Sequence, residues 1–196
     1  MTVRWGSLSG ECVRERAELT NLLATVDGTE EFYEPEDLAE ELIEPGVDAV
    51  RDTVAVWDDG ALIGFGQLGV KRGPPSGNLS ALLVGGVHPD HRGRGMGVRV
   101  MDLLEARAMQ LGAERGPGVP VHLRVPGGIE DASVRRLLEH RGYAIERYYR
   151  KLERPIPGAP VAEPSVAVTP YSAELSGAGA TGAQRCLQHA LGLDAT

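Results

Sequence analysis

The 196-residue chain has room for one domain of ordinary size and a remainder, and its 42% hydrophobic content can fill a core. A net charge of −8, from 28 acidic and 20 basic residues, excludes a general nucleic-acid binder, which needs a positive surface to displace counterions from phosphates. Cys12 and Cys186 form neither a disulfide framework nor a metal-ligand spacing, no leader-like segment opens the chain, and no run of about 18 apolar residues occurs, so the expectation is a cytoplasmic protein without metal or membrane insertion.

Thr2 to Trp5 reads as a first short strand. Cys12 to Val26 reads as a helix, with Leu19, Leu22, Leu23 and Val26 on its inward face and Asp27-Gly28 as its stop. From Glu30 to Asp48 there are nine acidic residues and no basic one, and Pro35 suits the first turn of a helix carrying Leu38, Leu42 and Ile43 inward. Such an acidic face is either simply solvated or draws in a cationic acceptor. Thr53 to Trp57 is a strand, Asp58-Asp59-Gly60 a hairpin turn, and Ala61 to Val70 the returning strand, where Gly64, Gly66 and Gly69 signal a bulge or close backbone approach. After a Gly/Pro loop from Gly73 to Asn78, Leu79 to Val87 completes an antiparallel meander.

The stretch from Gly86 to Gly112 carries the strongest signal. His88 to His91 turn the chain, and Arg92 to Gly97 form a glycine-dense loop opening an amphipathic helix that keeps Val100, Met101, Leu104, Ala108 and Leu111 on one face and ends near Gly112. Glycines at 93, 95 and 97 let consecutive backbone N–H groups approach a ligand, and the helix they enter favours an anion at its free N–H groups. Arg92 and Arg94 add positive charge beside this phosphate cradle. A Walker A loop needs Gly-Lys-Ser/Thr where Gly97-Val98-Arg99 stand, and the spacing does not fit a dinucleotide fingerprint. Beyond the cradle, Val119 to Val125 reads as a strand paired parallel to the last meander strand. Asp131 to Arg141 reads as a helix with Asp131 as N-cap, Val134, Leu137 and Leu138 buried and Gly142 as its left-handed cap, and Tyr143 to Leu152 runs extended.

The R-x-x-G-x-G of Arg92, Gly95 and Gly97, preceded by V-H-P-D-H, resembles the acyl-CoA signature of the GNAT superfamily of N-acyltransferases, and the order of elements over residues 1–154 matches that of a GNAT domain. The resemblance implies an α/β (α+β) GNAT fold: a mixed central sheet with an antiparallel meander, a CoA-binding β-turn-α unit and flanking helices. It implies acetyl-CoA as co-substrate, with the pyrophosphate on the backbone of Arg92, Gly93, Arg94, Gly95, Met96 and Gly97 and the pantetheine arm along Gly86 and Val87. The other partner would be a small-molecule or peptide amine. Two family features are missing. Leu79 to Val87 contains no carboxylate to accept the amine proton, and the family tyrosine that protonates the leaving thiolate falls on Leu138. A thiol with pKa about 8.5 can leave without an obligatory acid. Replacement candidates are His88, Glu31, Tyr33, Tyr148 and Tyr149, although His88 also reads as a turn residue before Pro89. An amine acetyltransferase and a degenerate, non-catalytic acyl-CoA-binding module both remain open.

Residues 155–164 are a Pro-rich linker, and Ser165 to Tyr171 reads as a strand whose exposed edge offers a route to a homodimer. Linker and strand resemble the junction of tandem two-domain GNAT proteins, a group that includes mycothiol synthase. Residues 165–196 would then be the stub of a second domain, frameshifted or disordered from about residue 172, since one codon spelling of Thr181 to Thr196 encodes a family-like segment in a shifted frame.

Overall fold

A computed structural model of the chain describes residues 3–29, 31–72, 78–128 and 133–146. Tyr148, Tyr149, Asp131, the linker and the second-domain stub lie outside the described residues. The chain divides after Pro126 into two compact units.

The first unit is built on a sheet of β1 (Val3–Gly6), β2 (Thr53–Asp58), β3 (Ala61–Arg72), β4 (Leu79–Val87) and β5 (Val121–Arg124), in that spatial order. Neighbours are antiparallel through β4, and β4 and β5 pair in parallel, so the sheet is mixed as expected. The β2–β3 turn is made by Asp59 and Gly60, with φ of 46° and 86°. Two successive left-handed residues give the turn whose twist matches the strands, and an Asp-Gly pair is suited to it. The glycine-rich returning strand does carry a bulge: Val56 pairs with Gly64 but Trp57 with Leu62, leaving Ile63 as the extra residue. The Ile63 carbonyl accepts the His88 N–H at 2.8 Å, which anchors the chain just past the end of β4.

Alternation along β3 sends Phe65 and Gly66 to opposite faces. On the Phe65 face, Ala55, Leu62 and Phe65 pack with Leu8, Cys12, Leu42 and two residues of α1 (Val13–Asp27), Leu19 and Leu23. On the other, α4 (Met96–Arg115) buries Val100, Met101, Leu104, Ala108 and Leu111, as its periodicity predicts. A Cβ on Gly66 would lie 2.6 Å from Val100 and 2.8 Å from Leu104, whereas one on Gly69 would meet nothing within 4 Å. Gly66→Ala is therefore expected to cost about 1–3 kcal/mol by overpacking and Gly69→Ala little, a contrast that paired thermal melts will read.

Several inward assignments are corrected. Leu22 and Val26 are 37% and 52% exposed, and the buried stripe of α1 instead includes Arg16, at 2%. Arg16 tolerates burial because its guanidinium donates to the Leu38 carbonyl at 3.2 Å, pairs with Glu41, and lies 5.5 Å from the centre of the Phe65 ring. Ile43 is 81% exposed because α2 (Pro35–Leu42) ends before it, while Leu38 and Leu42 are buried. A further turn, α3 (Ala49–Asp52), is capped by the Asp48 carboxylate accepting from the Val50 and Arg51 N–H groups. Gly112 does not end α4, which continues to Arg115; it lies against Val121, whose side chain a Cβ at 112 would strike.

In the second unit, α5 (Ser133–His140) closes with Gly142 at φ 81°, Gly142 N–H on the Glu139 carbonyl and Tyr143 N–H on the Leu138 carbonyl. This double bond pattern is a Schellman cap. Leu138 is buried, Val134 and Leu137 are only partly so, and residues 143–146 form no strand.

Candidate functional site

β4 pairs with β3 over its whole length, but with β5 only from Leu79 to Leu82. Leu83 to Val87 therefore present a backbone edge that β5 leaves open. Since the His88 N–H points into β3, alternation directs the Val87 N–H toward the open side. Gly85 permits this arrangement: it has φ 155°, and a Cβ there would lie 2.8 Å from the Gly66 Cα and strike the Phe65 carbonyl.

The strand leads through the turn at Pro89–His91 into the cradle. Gly93 and Gly95 have φ of 75° and 78°, and a Cβ on either would meet nothing within 4 Å. These glycines serve backbone conformation and leave the space in front of them open. The first helical bond of α4 runs from the Arg99 N–H to the Gly95 carbonyl at 3.1 Å, so the N–H groups of Met96, Gly97 and Val98 precede the ladder. Their partial positive charge and the helix dipole are of the sign that favours an anion at this end.

The side chains of both arginines make bonds within the protein. Arg92 donates from Nε to the Val87 carbonyl at 3.1 Å and through its terminal nitrogens to both oxygens of Asp27, at 2.9 and 2.8 Å. Arg94 donates to the Asp90 carbonyl at 3.0 Å. His88 accepts the Asp90 N–H on Nδ1 at 3.3 Å and packs edge-on against His91, with ring centres 5.6 Å apart, which is the turn-forming role.

Glu31 and Tyr33 are brought together on the segment between α1 and α2. Asn21 on α1 fixes that segment: its amide donates to the Tyr33 carbonyl at 3.0 Å, and its oxygen accepts the Tyr33 N–H at 2.9 Å. Burial pushes the Glu31 carboxyl from its ordinary 4.5 up to about 7, against the opposing effect of a hydrogen bond from the Tyr33 hydroxyl. Burial, then the charges of Glu31 and Glu41, raise Tyr33 well above the usual phenol range. A half-buried carboxyl near neutrality can exchange a proton with an amine; Tyr33 stays a hydrogen-bond donor. α1 also reaches the open end of β4, since Leu23 fills the space against Gly86. Asp27 and Asn21 have no mark in the sequence that would have singled them out, because their partners lie 65 and 12 residues away.

Leu138 is a buried apolar residue of α5 and offers no proton. Among the described residues, no group of three His, Cys, Asp or Glu side chains could hold a metal, and no helix is long and apolar enough to cross a membrane.

Solved structures share this architecture. A GCN5-related N-acetyltransferase from Sphaerobacter thermophilus is 23% identical with TM-score 0.58, over 72% of this chain and 43% of that one. A ribosomal-protein-alanine N-acetyltransferase from Brucella melitensis is 22% identical with TM-score 0.52, over 79% and 100%. A predicted acetyltransferase from Clostridium acetobutylicum, solved with acetyl-CoA, is 11% identical with TM-score 0.56, over 78% and 96%. Comparison with curated proteins gives no match. The family model for GNAT acetyltransferases matches residues 18–116, from within α1 through the end of the cradle helix. With half of its length accounted for by that model, the chain belongs to the acetyltransferase (GNAT) family.

Proposed function

We propose that the chain transfers an acetyl group from acetyl-CoA to an amine of a small molecule or peptide. The observation that carries this reading is the continuity of the open β4 edge at Leu83 to Val87 with the Gly93–Gly97 cradle. The residues fit the co-substrate: the N–H groups at the start of α4 hold a diphosphate, the open edge accepts an extended amide-bearing arm, and Gly93 and Gly95 leave room for the approach. When bound, acetyl-CoA supplies the activated thioester. The Val87 N–H, directed at its carbonyl, stabilises the negative charge that builds there.

An aliphatic ammonium, with pKa near the lysine value of about 10, must lose its proton before it can attack. Glu31, ionising at about 7, is the base in this reading, and Tyr33 orients it. The acidic surface of α2 around it favours cationic acceptors. His88, taken up by the turn, is not given a proton-transfer role.

Free-thiol release from acetyl-CoA across a panel of mono- and polyamines tests the proposal. Turnover that saturates in one amine and rises with pH through about 7 is expected. A second reading, a non-catalytic acyl-CoA-binding module, is favoured by the buried Leu138 and the carboxylate-free β4. Tight acetyl-CoA binding without thiol release from any amine would select it.

A further inference from the structure

We infer that Asp27 is a positioning residue for the CoA site: its carboxylate clamps Arg92 so that the arginine shapes the mouth of the cradle and is not itself a phosphate ligand. The inference rests on the proposed CoA reading.

The clamp joins three segments. Arg92 begins the cradle, its Nε holds the carbonyl of Val87 at the end of β4, and its two terminal nitrogens hold Asp27, the last residue of α1. Both side chains are about 30% exposed, at 28% and 31%, so the pair is partly withdrawn from water. Two parallel charge-assisted bonds fix orientation as well as distance. One residue later, Gly93 must take φ 75°, so the direction in which the chain leaves Arg92 decides where the cradle N–H groups point.

Asp27 stands where a carboxylate is otherwise unfavourable. It is the last residue of a helix, next to a left-handed Gly28, where the macrodipole disfavours negative charge. It is also close to a loop expected to receive a polyanion. Both penalties are offset by the bond to Arg92, which accounts for an acid at this position. With Nε on Val87 and one N–H of each terminal nitrogen on Asp27, three of the five guanidinium N–H groups hold the side chain in this orientation, and swinging it toward a phosphate would break these bonds.

Clamp and phosphate ligand predict opposite signs for Asp27→Asn. If Arg92 were a phosphate ligand, removing the competing charge would tighten CoA binding. If Asp27 is a clamp, CoA binding weakens by about 10-fold. Calorimetry with CoA, well below each variant's melting temperature, reads the sign without interference from unfolded protein. Arg92→Lys keeps the charge and loses the fork; the clamp predicts a similar loss and a double variant scarcely worse than either single one. Unchanged or tighter binding by folded Asp27→Asn, or wild-type affinity in Arg92→Lys, overturns the inference. If the Asn variant does not fold, the Lys variant still tests the inference, because wild-type affinity there would overturn it. Wild-type protein that fails to bind CoA would instead refute the functional reading on which the inference rests.

Discussion

Gly95→Val is expected to remove measurable CoA binding from a protein that still folds. Nothing lies within 4 Å of a Cβ built at Gly95, so the new side chain meets no protein atom. It projects into the open space through which a diphosphate would reach the N–H groups of Met96 and Gly97. The backbone there has φ 78°, where a β-branched residue is strained by about 1–2 kcal/mol. The start of α4 then either keeps its conformation with a blocked approach or relaxes and turns its N–H groups away. Either outcome forfeits two or more charge-assisted hydrogen bonds of about 1.5–3 kcal/mol each, a loss of roughly 10²- to 10⁴-fold in affinity. Calorimetry with CoA, alongside circular dichroism to establish folding, checks the result. Undiminished affinity in a folded variant would place the anion site elsewhere.

The second large effect is expected at Glu31. If it is the base, Glu31→Gln keeps the shape and an acceptor oxygen for the Tyr33 hydroxyl while removing the proton-accepting function. A fall in kcat of about 10²- to 10⁴-fold should follow. The wild-type pH–rate profile should show an ascending limb near 7, absent in the variant's residual activity. Tyr33→Phe removes a hydrogen bond that holds the Glu31 pKa down, so the limb should move to higher pH. A variant that keeps wild-type kcat and the same limb would exclude Glu31 as the base.

The same carboxyl has a stability signature of definite sign. Its folded pKa, about 7, lies above the ordinary 4.5, so between these values the folded protein binds more protons than the unfolded chain. Stability from this group is present at low pH and is lost as pH rises through that window. The Gln variant does not titrate there. Its melting temperature should therefore gain on that of wild type from pH 4.5 toward pH 8, even while its activity is impaired.

Local sequence determined a large part of this molecule. Asp59-Gly60 specifies the hairpin because the two residues tolerate the left-handed angles the turn needs. The spacing of Val100, Met101, Leu104, Ala108 and Leu111 specifies the buried face of α4 because helical rotation returns them to one side. Gly93 and Gly95 make the cradle legible since the required backbone angles are a property of the residues themselves. Features that depend on distant partners were not legible in this way. Apolar periodicity assigned Leu22 and Val26 to the core and passed over Arg16, whose burial is possible only because Leu38, Glu41 and Phe65 converge on it. Gly112 looked like a helix end, but its purpose is to let α4 approach Val121.

At the candidate site the division is sharper. Sequence alone determined the glycine cradle and the lack of a carboxylate on β4, and it offered Glu31, Tyr33, Tyr148, Tyr149 and His88 as replacement candidates, His88 also reading as a turn residue. Tertiary structure distinguished those it describes: it used His88 to form a turn, and it half-buried Glu31 beside Tyr33 on a segment held by Asn21. It also engaged the Arg92 side chain, read in the sequence as positive charge beside the cradle, with Asp27. Turn angles and helical faces are set by neighbours along the chain, whereas the cost of a charge and the direction of a guanidinium are set by whatever packs beside them, and that is decided only when distant segments meet.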